Sequence, residues 1–144
     1  RFLYLRNFTA PVVVRIHIKH IKTALDRKIR PKKRTVRRLK GLLFVKVADG
    51  AGGYEPGDIV VEEARPLSHK EVKALLFAIQ NLQFWEIPTI EKHMGLDGAQ
   101  WVLEGLRKGR YHIVDRWCPG KGLYRETCLH FLELSPLEDI GRIY

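Results

Sequence analysis

The sequence predicts an α+β fold, a single antiparallel sheet of about five strands with two helices packed on one face. Three observations point there. Residues 12–19 alternate strictly, with Val12, Val14, Ile16 and Ile18 on one side and Val13, Arg15, His17 and Lys19 on the other. That is the pattern of a half-buried strand. The other extended runs are joined by hairpin signals, which do not build a parallel crossover sheet. Two segments carry the i, i+3, i+4, i+7 spacing of amphipathic helices, enough to cover one sheet face. At 144 residues and 45% hydrophobic, residues 1–144 make one domain with a sizeable core. No run approaches the ~18–20 apolar residues of a membrane-spanning helix.

The elements follow in order. After strand 12–19, Gly41–Val47 reads as a second strand. Asp49 to Gly57 is a cluster of turn residues, and Ile59–Ala64 returns as a third strand. Ser68 with Glu71 has capping-box spacing, so a helix opens there. Val72, Leu75, Leu76, Ile79 and Leu82 form its apolar face, and it should end near Gln83. Pro88 keeps the aromatic exit Phe84-Trp85 from continuing as helix. Ala99–Leu106 and Tyr111–Trp117 bracket Arg107-Lys108-Gly109-Arg110, a tight hairpin turn. A second helix, Leu123–Leu134, presents Tyr124, Cys128, Phe131 and Leu132 to the core.

Charge is unevenly placed. The chain carries 26 Lys and Arg against 16 Asp and Glu. Fourteen of the bases fall in residues 1–40, beside a single acid, Asp26. The remainder is mildly acidic. Residues 20–40 therefore read as a basic loop or arm, with a short basic helix as the alternative. Such blocks are solvated or meet a polyanion. Lys32, Lys33, Arg34, Arg37 and Arg38 are the candidate polyanion-binding residues. The stretch Lys22–Lys40 contains no aromatic residue to stack on a base.

Four sequence blocks are distinctive: Gly52-Gly53-Tyr54-Glu55-Pro56-Gly57; Phe84-Trp85 through Ile87-Pro88-Thr89; Gly95-Leu96-Asp97-Gly98-Ala99 through Trp101, Leu103, Glu104 and Gly105; and Tyr111-His112 through Val114-Asp115-Arg116-Trp117 and Pro119. Together they resemble a widespread group of uncharacterised bacterial proteins, over roughly residues 41–135. The resemblance implies a bacterial origin and no particular activity. Relatives with a leader or lipid anchor imply the cell envelope, with the cytoplasm as alternative. A chain that starts at Arg1 suits the ordered part of a longer product.

Residue chemistry gives no catalytic set. The six histidines include no HExxH, and no GxSxG occurs. Cys118 and Cys128 lack metal-finger spacing, and whether they are bridged stays open. His112 and Cys118 share one strand face but stand about 20 Å apart. The glycines at 50–53 lack the strand–loop–helix context of a phosphate cradle. Glu104 and Asp115 fall diagonally across the second hairpin. They suit acid/base or cation chemistry, or pairing with Arg107, Arg110 or Arg116. Asp115, if on the core face, would fix a loop such as Gly95–Gly98.

The expected function is a non-catalytic binding domain without cofactor or metal. Its first expected partner is a protein, in an immunity, inhibitor or envelope-assembly role, met through Tyr54, Trp85, Asp97 and Trp117. The alternative partner is nucleic acid or anionic lipid, met through residues 22–40.

Overall fold

A computed structural model describes residues 1–24, 35–50, 55–91 and 98–137, with the side chains of 22–24 and 35–37 left outside the description. The fold is α+β, as the patterning predicts, but the sheet has six strands. In chain order they are β1 (Phe2–Arg6), β2 (Val12–Ala24), β3 (Thr35–Ala48), β4 (Ile59–Leu67), β5 (Ala99–Arg107) and β6 (Arg110–Trp117). The helices are α1 (His69–Asn81) and α2 (Leu123–Glu133). Strands lie in the order β4-β3-β2-β1-β5-β6, and every neighbouring pair is antiparallel.

The additional strand is β1. Five residues, Phe-Leu-Tyr-Leu-Arg, are too short to announce themselves by periodicity. They nevertheless sit at the centre, pairing Phe2 with Val14 on one side and with Leu103 on the other. Phe2 and Tyr4 are fully buried. Phe2 lies 5.5 Å from the Trp101 ring and 6.1 Å from Phe131 of α2. Tyr4 meets Trp101 edge-on at 5.1 Å, a favoured aromatic geometry.

Both helices cover the face that carries Phe2, Val14, Leu43, Val45, Trp101, Leu103 and Val114. The alternation of β2 therefore comes out as read, with Val12 and Val14 buried and Ile16 and Ile18 packed against the core. Helix α1 starts on the predicted capping box. Ser68 Oγ accepts from the Glu71 amide at 3.2 Å, and Glu71 Oε2 accepts from the Ser68 amide at 2.7 Å. These bonds, with Arg65, hold the Glu71 carboxyl down at about 2. Arg65 also donates to the Leu134 carbonyl at 2.7 Å, tying β4 to the ends of both helices.

α1 ends two residues before Gln83. Gln83 takes φ 54°, its amide bonds Gln80 O, and the Phe84 amide bonds Ile79 O. This is a Schellman closure built without the usual glycine, so the sequence did not show it. It turns Phe84 and Trp85 back onto β5. Leu76 is 36% exposed, at the margin of the face on which it was expected to be buried. The β5–β6 turn is as read, with Lys108 at φ 51° and Gly109 at φ 81°, the left-handed pair of a two-residue hairpin.

At Gly41 on β3, α1 packs tightly on the sheet. A Cβ there would fall 2.8 Å from Val72 Cγ2 and 2.9 Å from Leu67 Cβ. Gly41→Ala should therefore destabilise the fold by about 1–3 kcal/mol, as overpacking does. Urea denaturation measures this, and an unchanged midpoint would show that α1 does not press on the sheet at this point.

Candidate functional site

The helices leave the opposite sheet face open. On it β2 places Val13, Arg15, His17 and Lys19. In register on β3 stand Lys46 against Val13, Phe44 against Arg15, Leu42 against His17, and Lys40 against Lys19. One step further, Arg38 stands against Ile21. Beyond Gly41 the partner β4 has ended at Leu67, so six residue pairs of β2 and β3 continue as a two-stranded ribbon. Its base is anchored where the Leu39 amide donates to His69 Nδ1 at 3.1 Å.

This half of the face is cationic and almost free of acids. Lys46 pairs with Glu62 of β4 at 2.8 Å. Arg15, Lys19, Arg38 and Lys40 are exposed, and none has an ion-pair partner among the described residues. Lys19 and Lys40 are directly opposed, and like charges in that position destabilise a strand pair. Burial against its neighbours, and then the charges of Arg15 and Lys19, push the His17 imidazolium below the ordinary histidine range. The Phe44 ring lies 5.6 Å from His17, edge to face.

Of the residues nominated for polyanion binding, Arg38 is exposed on the open face and Arg37 is in β3. Lys32, Lys33 and Arg34 lie outside the described residues. Residues 20–24 and 35–40 of the basic segment are strand. Lys19, Lys40 and Phe44 were not among the residues nominated for polyanion binding. Lys46 gave the available signal, because it assigns Leu42 and Phe44 to the solvent side by alternation.

Of the four residues nominated for protein binding, the two that are described, Trp85 and Trp117, lie on opposite faces of the sheet. Tyr54 and Asp97 lie outside the described residues. Trp85 is half-buried on the helix side beside Phe84 and His112, with Arg110 5.5 Å over its ring. Trp117 is half-buried at the other end of β6, on the open face.

The two acids are separately engaged. Glu104 stands opposite Ile113, as the hairpin arithmetic predicts, and bonds Arg1 and the Tyr111 hydroxyl, the latter at 2.8 Å. The Arg1 bond is the main cause holding its carboxyl below the usual range. Asp115 is on the open face, not the core face, and accepts from Gln100 Nε2 at 2.7 Å. Its neighbour Arg116 binds the chain beside β6, donating to Pro88 O at 2.7 Å and Thr89 O at 2.9 Å. Side-chain alternation explains the exchange, since Arg116 points to the side opposite Asp115.

Cavities among the described residues include two open ones. One of about 320 Å³ adjoins Trp117, Lys121 and Tyr124, and one of about 310 Å³ lies between the helices at Phe77, Leu123 and His130. No group of three or more His, Cys, Asp and Glu side chains is placed to hold a metal among the described residues. No helix there is long and apolar enough to cross a membrane. No family model, curated protein or solved structure matches the chain.

Both cysteines are free. Cys128 is fully buried, and desolvation pushes its thiol far up, which makes it a poor nucleophile. Cys118 is half-exposed, its Sγ accepting from the Ala99 amide at 3.1 Å. A thiol-specific reagent should therefore label one cysteine per native chain and two after denaturation. Rapid labelling of both in the native protein would contradict the burial of Cys128.

Proposed function

We propose that this protein is a non-catalytic binding domain whose cationic β2–β3 face and ribbon engage nucleic acid through its phosphates. The observation that carries the reading is the direct opposition of Lys19 and Lys40. A strand pair gains nothing from two ammonium groups face to face, and pairing an acid with a base there would stabilise it. A polyanion neutralises both. Arg15, Lys19, Arg38 and Lys40, which have no ion-pair partner among the described residues, would release counterions on contact, so affinity should fall steeply with salt.

The test separates binding from folding. Lys19→Glu replaces repulsion by attraction, so the melting midpoint should rise by roughly 1–3 °C. Affinity for an oligonucleotide should fall at least tenfold, and the slope of log affinity against log salt should lessen by about 1 or more. Lys73→Glu, an equal charge change on the exposed side of α1, should alter affinity less than twofold. The reading fails if Lys19→Glu binds as well as the parent. It also fails if anionic phospholipid vesicles are bound and oligonucleotides are not.

A second reading, a protein partner, is favoured by the β4 edge. Ile59 and Val60 there are 56% and 58% exposed, on a strand paired on one side only. Such an edge accepts an added strand. Val60→Lys should abolish recovery of a stoichiometric protein partner while leaving oligonucleotide affinity unchanged. A partner retained by that variant would place the contact elsewhere.

A further inference from the structure

We infer that the open sheet face takes single-stranded nucleic acid, with a base stacked on Phe44 and the backbone running along the cations of β2 and β3. This rests on the polyanion reading and adds the form of the polymer. The observation is a juxtaposition that the basic segment alone lacks. Phe44 stands opposite Arg15 on β2, between Lys46 and Leu42 on its own strand, and against Ala64 on β4. The side chain of Ala64 is too short to cover a phenyl ring. His17, exposed and in edge contact with Phe44, adds a second ring surface. Same-face positions recur about every 6.6 Å along a strand, so the cations form a track with the ring inside it.

This arrangement matches what single strands require, a positive groove for the backbone and a π-face for the base. It does not match a duplex. Six strands span about 24 Å, whereas the major groove is about 12 Å wide. A duplex presents its bases edge-on within that groove, out of reach of a ring set in a broad sheet. The ribbon beyond Gly41 is narrow enough to enter the groove, which makes duplex binding the competing outcome. Phe44 is half-buried, so part of its apolar area stays in water among the cations; a stacked base would cover that part.

The experiment uses the whole chain and four probes: a 12-nucleotide oligo-dT, the oligo-U equivalent, a 12-base-pair duplex, and anionic phospholipid vesicles. The expected result is preference for either single strand over the duplex. Phe44→Leu keeps an apolar residue of similar volume and should weaken single-strand binding about tenfold, with duplex affinity changed less than twofold. Phe44→Trp should restore or tighten it. Circular dichroism and the melting midpoint confirm that both variants fold. The inference is overturned if Phe44→Leu binds single strands as the parent does, or if the parent prefers duplex; in the second case the polyanion reading survives with the ribbon as its contact. Binding to no oligonucleotide removes both.

Discussion

The fold depends on the aromatic packing that seats β1 at the centre of the sheet. Phe2 and Tyr4 project from a five-residue strand into Trp101 of β5 and Phe131 of α2. Without β1, the sheet β4-β3-β2 and the hairpin β5-β6 would each expose a long edge, and α2 would lose its floor. Deleting one buried aromatic side chain costs about 3–5 kcal/mol, against about 5–15 kcal/mol that holds a domain folded. The shortest of the described strands is thus the one that joins two independently plausible hairpin systems into one sheet.

Covering one face leaves the other free to carry charge. The helices bury Val12, Val14, Leu43 and Val45, and the residues between them on the same strands face water. Acids on that face are already bonded, Glu62 to Lys46, Glu104 to Arg1 and Tyr111, Asp115 to Gln100. Among the described residues, Arg15, Lys19, Arg38 and Lys40 have no such partner. On the proposed reading, the positive field of these side chains would concentrate an anionic ligand and speed its approach.

Local chemistry was legible wherever a short stretch of chain determines its own geometry. The Ser68–Glu71 box, the Lys108-Gly109 turn and the opposition of Glu104 to Ile113 follow from neighbours in sequence or across a tight turn. The sixth strand was not legible, because β1 is stabilised by partners more than ninety residues away. The stop at Gln83 was not legible either, since a non-glycine residue holds φ 54° there only with the support of the backbone bonds around it. The candidate site divides the same way. Its charge was visible in the sequence, but Phe44 joins it only through pairing with Arg15 and Ala64.

The sequence by itself determined the class of the fold, the identity of the core faces of β2 and α2, and the concentration of positive charge near the start of the chain. Those properties follow from composition and from periods of two and 3.6 residues, which are local. The tertiary structure alone decided that β1 is central, that Asp115 faces solvent while Arg116 braces the chain at 88–91, and that Lys19 meets Lys40 on the sheet face that also carries Phe44. Each of these depends on which strands become neighbours, and that choice is made by burying distant apolar surfaces together rather than by any single segment.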